Sequence, residues 1–133
     1  MTILDAIAPD IICHPRMIVV LLWALVPTIV IEMCVLLFLR ERRKAVLLGS
    51  IAINCATNIP LSTWAILTYP SWGQVLVAEL LICIVEAALY RLLRCSWPQA
   101  AAYAFLANAI SFLTGLVVEL ACLVANIDIP LLY

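Results

Sequence analysis

The chain has 133 residues, of which 68% are hydrophobic and 11% are charged, and its formal net charge is −1. Its mean hydropathy is +1.22, whereas a water-soluble domain carries roughly twice this share of charged residues. The composition excludes an ordinary soluble domain and argues against nucleic-acid binding, and it predicts an integral membrane protein.

Four apolar stretches follow one another along the chain, each long enough to cross a hydrocarbon core of ~30 Å as a helix. Lipid cannot satisfy backbone polar groups, and the alternating pattern of barrel strands is absent. We therefore expect an all-α integral membrane protein. It has an outer N-terminal arm over 1–16 and a single four-helix transmembrane domain over 17–133. The predicted spans are 17–39, 45–68, 75–93 and 100–126.

Basic residues indicate the orientation of these spans. Lys and Arg concentrate in cytoplasmic loops of membrane proteins, so loops 40–44 and 94–99 should be cytoplasmic and both termini should lie outside. A bacterial cytoplasmic membrane is expected, with no cleaved signal peptide because no basic segment precedes the first span. Six of the seven basic residues lie on the predicted inner side: Arg40, Arg42, Arg43, Lys44, Arg91 and Arg94. The aspartates 5, 10 and 128 fall on the other side.

Aromatic residues near the predicted span ends fit the interfacial belts of membrane proteins. Trp23, Trp64, Tyr69 and Trp72 would form the outer belt, and Tyr90, Trp97 and Tyr103 the inner one.

Polar residues inside the spans recur at a fixed offset. Glu32 precedes Asn54 by 22 positions, Glu86 precedes Asn108 by 22, and the two pairs are 54 positions apart. Because Glu and Asn are rare in this chain, the pattern indicates two helical-hairpin repeats, related by an axis along the membrane normal. Coincidence between two similar hairpins is the alternative.

Helical spacing groups the polar residues of each span on one stripe, because residues three and four positions apart share a face. Glu32, Asn54, Glu86 and Asn108 should lie at nearly one depth, with the stripes meeting in the centre. Glu79 lies on the Glu86 stripe, nearer the outer face, together with Cys83. Pro60, after Asn54, Thr57 and Asn58, removes a helical hydrogen bond and favours a kink there.

Arg91, close to the inner end of its span, is the one basic residue within the predicted spans, so no Lys, Arg or His lies at the depth of the glutamates to neutralise them. A carboxylate at mid-bilayer costs at least ~2.5–3.5 kcal/mol. A raised pKa, a bound cation or contact with a water-filled cavity would resolve this cost. The candidate ion- or solute-binding residues are Glu32, Glu86, Asn54, Asn58, Asn108 and Glu79.

These residues predict transport or binding of a proton, a metal cation or a small polar solute. The alternative is a non-catalytic membrane subunit or assembly partner of a larger complex, in which the polar side chains join helices through hydrogen bonds. No catalytic constellation or cofactor motif is found, and the Cys13–His14 pair is a poor signal for metal binding. Expected partners are the lipid bilayer and a second copy or a larger membrane complex.

Overall fold

A computed structural model describes residues 15–125, and this part of the chain folds into four helices without strands. The helices are α1 (Pro15–Phe38), α2 (Lys44–Thr68), α3 (Trp72–Leu92) and α4 (Trp97–Val124). Their bounds agree with the predicted spans to within a few residues. The N-terminal arm up to residue 14, including Cys13 and His14, lies outside the described residues, as do Asp128 and the predicted end of the last span.

Three of the four helices are long and apolar enough to cross a membrane. They are α1 over Leu21–Phe38, with a mean hydropathy of 2.4, α2 over Lys44–Thr68 and α4 over Trp97–Val118. Apolar side chains cover the outer surfaces of the bundle: Val26, Val30, Leu106 and Val117 are all exposed. Such a surface suits lipid better than water. The crossing of the membrane by α3 remains a prediction.

The helices α1 and α3 end in the same backbone motif, 54 positions apart. Arg40 and Arg94 have φ angles of 62° and 61°, in the left-handed region that closes many helices. The amide of Glu41 donates to the carbonyl of Leu36 (3.0 Å), and the amide of Cys95 donates to that of Tyr90 (3.3 Å). These bonds satisfy carbonyls that the helix end would leave unpaired.

Glycine should relieve the backbone strain at both left-handed positions. A residue with a Cβ atom costs roughly 1–2 kcal/mol there, and glycine avoids part of this cost. We expect Arg40→Gly and Arg94→Gly each to stabilise the bundle by about 0.5–1 kcal/mol, measured by unfolding in detergent. Arg42→Gly, at a residue without a positive φ angle, is the matched control and should not stabilise. Destabilisation by all three changes alike would contradict this explanation of the turns.

The start of α4 repeats the sequence pattern at the start of α3, since both begin with Ser-Trp-x-Gln. The amide of Ser71 donates to Gln74 Oε1 (2.8 Å), and the amide of Ser96 donates to Gln99 Oε1 (3.1 Å). These are reciprocal caps that satisfy free amides at a helix start. The connections between consecutive helices are short, and consecutive helices therefore run antiparallel.

The four helices form a closed square in which each contacts two neighbours. Helix α1 packs against α2 and α4, and α3 packs against the same two helices. The glutamate-bearing helices α1 and α3 therefore occupy one diagonal, and the asparagine-bearing helices α2 and α4 occupy the other. This arrangement brings side chains from all four helices toward one axis. Both α1 and α2 continue through their internal prolines, Pro27 and Pro60.

The packed core lies at one end of the square, which we call the basic end because it contains the connections 39–43 and 93–96. All fully buried residues among those described fall within 32–57 and 86–108. The apolar cluster there includes Leu36, Val46 and Ala100. Residues nearer the opposite end, around the 69–71 connection, are half-buried or exposed. The bundle is thus tightly closed at the basic end.

The assignment of Tyr90 and Tyr103 to an interfacial belt is wrong. Tyr90 is fully buried and Tyr103 is 6% exposed, and their rings pack edge to face with centroids 5.8 Å apart. Both face the apolar cluster because their positions on α3 and α4 point along the inward stripes. Trp23, Trp72 and Trp97 are exposed, as an interfacial position requires.

Candidate functional site

A layer of buried polar side chains lies where the packed core ends, and we call it the polar layer. It contains Glu32, Asn54 and Glu86, each with no exposed surface, and Asn108, which is 5% exposed. Thr57, on the same stripe as Asn54, is 9% exposed. Each helix thus contributes one Glu or Asn to the layer.

Within each hairpin, the asparagine donates to the glutamate that precedes it by 22 residues. Asn54 Nδ2 donates to Glu32 Oε2, and Asn108 Nδ2 donates to Glu86 Oε2. Each amide also donates to a carbonyl of its own helix four residues earlier, Ser50 at 3.2 Å and Ala104 at 2.9 Å. If either amide were flipped, its oxygen would face both the carboxylate and the backbone carbonyl, which are both acceptors. The carbonyls therefore establish that each NH₂ group points toward the carboxylate.

Two further bonds close the circuit around the square. Thr57 Oγ1 donates to Glu86 Oε1 across the α2–α3 interface at 2.7 Å. Ser111 Oγ donates to Thr28 Oγ1 across the α4–α1 interface at 3.3 Å. With the two amide bonds, every neighbouring pair of helices has one polar link. Hydrogen bonds between membrane helices contribute ~0.6–2 kcal/mol each, so the layer also holds the bundle together.

The polar layer contains acids without a base. The buried charged residues among those described are Glu32, Glu41 and Glu86; Glu41 lies in the connection at the basic end. An ionised carboxylate in a dry interior is unfavourable unless it is paired, so each acid of the layer must hold a proton, a cation or several donors. Chemically, carboxyl groups in such a setting are suited to holding a positive charge.

Two predicted site residues stand at the edge of the layer. Asn58 is half-buried, and its Nδ2 donates to Asn54 Oδ1 at 2.9 Å. Glu79 is half-buried and lines a cavity of about 170 Å³ between α3 and α4, beside Cys83, Asn108 and Phe112. No hydrogen bond joins Glu79 to the polar layer within residues 15–125, so it is a neighbour of the layer and not a member.

A second polar cluster lies at the basic end, in a connection whose basic residues predicted only the orientation of the chain. Glu41 is 5% exposed. Its carboxylate accepts the amides of Arg42 (2.8 Å) and Arg43 (2.7 Å) and the hydroxyl of Tyr103 (3.0 Å). It also pairs with Arg43 Nη2 at 2.6 Å. A lone acid among four basic residues was the available signal; nothing pointed to Tyr103.

Arg43 carries this cluster across to the second connection. Its guanidinium donates to the carbonyl of Arg94 and to Cys95 Sγ, both at 3.3 Å. Beside it, Arg91 lies over the ring of Trp97, 5.1 Å from the centroid. We call Glu41, Arg43 and Tyr103 the connection clamp, because they hold the two connections together beneath the packed core.

The pKa of Glu41 is lowered from its ordinary 4.5 to about 2, first by the hydrogen bonds from the Arg43 side chain and further by the backbone amide of Arg43 and the Tyr103 hydroxyl. The same pairing raises the pKa of Arg43. Glu41 is therefore ionised at neutral pH and works as a fixed structural charge.

Cysteine chemistry contributes little to either cluster. Cys34, Cys55, Cys83 and Cys95 are free thiols, and no group of three His, Cys, Asp or Glu side chains that could hold a metal ion occurs between residues 15 and 125. The atoms of the polar layer that could bind a cation are oxygens, and oxygen ligands favour hard cations over soft metals.

No family model, no curated protein and no solved structure matches this chain.

Proposed function

We propose that this protein binds or transports a small cationic or polar species, a proton, a metal cation or a small polar solute, at the polar layer. The observation that supports this most is the burial of Glu32 and Glu86, each without exposed surface, in an interior whose described buried residues include no base. Ionisable groups inside a membrane are expensive, and they typically mark ion pathways or proton relays.

The proposed architecture includes α3 as a fourth span. Helix α3 has 21 residues, enough to cross the hydrocarbon core, and it exposes Leu80, Leu81 and Ile84 on its outer face. It packs between α2 and α4, both of which can span the membrane. A helix in this position would share the environment of its neighbours.

We also propose that the two hairpins are parallel repeats of one unit. The Asn-to-Glu bonds, the paired left-handed arginines and the starts of the two buried segments, at 32 and 86, recur at an offset of 54 residues. The basic end would be cytoplasmic and both termini outside, in a bacterial cytoplasmic membrane. Access to the layer would then come from the opposite end, where the described side chains are only half-buried.

Four helices enclose little volume, so a continuous pore would require a homo-oligomer or a larger membrane complex. The alternative function is a non-catalytic subunit of such a complex. The hydrogen bonds that link every pair of neighbouring helices favour it, because they also explain the polar residues as contacts that hold the bundle together.

Flux through liposomes tests the proposal. With both acids replaced, as Glu32→Gln and Glu86→Gln in one chain, flux of the species that the wild type moves, proton, Na⁺ or divalent cation, should fall to that of protein-free liposomes. Thr114→Val is the matched control, since the exposed Thr114 bonds only to its own helix, at the carbonyl of Ile110. Undiminished flux in the folded double variant would contradict the proposal. An inactive wild type with a co-purifying membrane partner would support the subunit function.

A further inference from the structure

The two acids of the polar layer are not equivalent. Glu86 accepts a hydrogen bond at each oxygen, from Thr57 at Oε1 and from Asn108 at Oε2. Glu32 accepts from Asn54 at Oε2, but its Oε1 is buried and has no hydrogen-bond partner among the described residues. Such a group is rare, because a buried polar atom without a partner costs about 1–3 kcal/mol.

The difference traces to the partner of one hydroxyl. Ser111 lies 54 positions after Thr57, just as Glu86 lies 54 positions after Glu32. In that correspondence Ser111 would donate to Glu32 as Thr57 donates to Glu86. Ser111 instead donates to Thr28, whose own hydroxyl donates to the carbonyl of Ala24 at 3.0 Å.

The counterpart of Thr28 at the same offset is Ile82, which offers no acceptor to Thr57. The Ser111 hydroxyl is thus bonded to Thr28 and not to Glu32, and Ile82 can form no equivalent bond in the second half of the chain.

Glu86 can be satisfied with or without a proton on Oε1. When Glu86 is ionised, Thr57 donates to it; when it is protonated, it can donate to Thr57 Oγ1 while Thr57 donates to the carbonyl of Ile53, 3.0 Å away. A hydroxyl is both donor and acceptor, which permits this exchange. Glu32 Oε1 has no comparable partner, so it requires an added species.

We propose that Glu32, through Oε1, holds the exchangeable cation of the polar layer, a small monovalent cation that is either Na⁺ or hydronium, and that Thr28 keeps this position open. The inference rests on the proposed function and assigns its two acids different roles: Glu32 binds the mobile charge, and Glu86 completes the hydrogen-bond circuit. A carboxylate oxygen that accepts no hydrogen bond, on a group with a single negative charge, suits a hard monovalent cation.

Thr28→Val tests the positioning role, because it frees Ser111 to donate to Glu32 Oε1. This new bond would fill the open position, so thermal stability without cation should rise while the half-saturating cation concentration increases about tenfold, the equivalent of one hydrogen bond. A merely structural role for Thr28 would lower stability instead. Ile82→Val, at the corresponding position of the other half, is the matched control. It should leave the half-saturating concentration unchanged and should not raise the thermal stability, because it only removes a methyl group from a half-buried position.

Two titrations of the purified protein in detergent provide the readout and separate the two cations. One raises NaCl against choline chloride at fixed pH, and the other lowers the pH in choline chloride without Na⁺. We expect a saturable rise of the unfolding temperature in one of them for the wild type. Glu32→Gln should abolish it, and Glu86→Gln should keep a saturable response with a shifted midpoint.

The double variant Thr28→Val, Ser111→Ala removes the competing hydroxyl and should return the half-saturating concentration to near the wild-type value. A double variant that binds as weakly as Thr28→Val would overturn the positioning role. A response lost in Glu86→Gln but kept in Glu32→Gln, or flat in the wild type, would overturn the assignment to Glu32. The proposed function would still stand if flux disappeared only when both acids were replaced.

Discussion

Replacing Asn54 by alanine should destabilise the bundle by about 3 kcal/mol, because it leaves the buried carboxyl group of Glu32 without a hydrogen-bond donor. Asn54 supplies the single hydrogen bond that Glu32 accepts within the described part of the chain. It also accepts from Asn58 at 2.9 Å. Unfolding by heat or denaturant in detergent would measure the loss.

Asn108→Ala is the matched comparison for this change. Glu86 would retain its bond from Thr57 at 2.7 Å, so the loss should be about 1–2 kcal/mol. The expected order, with Asn54 costing more than Asn108, follows from the unequal partners of the two acids. Equal losses at the two asparagines would show that the hydrogen bonds of Glu32 and Glu86 are balanced after all.

Glu41→Gln should destabilise the basic end by about 2 kcal/mol, since it removes the charge that holds the connection clamp together. Glu41 is buried, but the Arg43 side chain is 44% exposed, so solvent weakens the ion pair and the loss should stay below that of a fully buried pair. Tyr103→Phe removes one neutral donor and should cost about 1 kcal/mol.

The same clamp predicts a dependence of stability on pH. The pKa of Glu41 is about 2 in the folded chain and 4.5 ordinarily, so its contribution is fully present above pH 4.5. It is lost as the pH falls toward 2, where the carboxyl takes up a proton. Over this window the wild type should lose more stability than Glu41→Gln. Parallel pH profiles for the two proteins would contradict a role for the ionised clamp.

Helix positions were predictable because long apolar runs determine them. The segments 17–39 and 45–68 are rich in Leu, Ile and Val, and a segment of this composition in lipid is expected to be helical. The structure confirms both helices. The common depth of the polar side chains could also be predicted. Two residues 22 positions apart, on the two helices of a tight hairpin, lie at the same distance from the connection. Glu32 and Asn54 therefore meet, as do Glu86 and Asn108.

Contacts between the hairpins were not predictable in the same way. Whether Ser111 donates to Glu32 or to Thr28 depends on the relative rotation of α1 and α4, which hydropathy does not report. The inward position of Tyr103 likewise depends on its partner Glu41, 62 residues earlier in the chain. Glu79 shares a stripe with Glu86, yet it lines the cavity between α3 and α4 instead of joining the layer.

Cation flux in the variant Glu32→Met, Asn54→Leu tests most directly whether the buried acid carries the function. Replacing both partners of a buried hydrogen bond by apolar groups of similar shape is nearly neutral, so this variant should unfold within about 1 kcal/mol of the wild type. The account predicts a stable, folded bundle that neither moves a cation nor gains stability from one. Flux at the wild-type rate, with Glu86 as the remaining acid of the polar layer, would contradict the role assigned to Glu32.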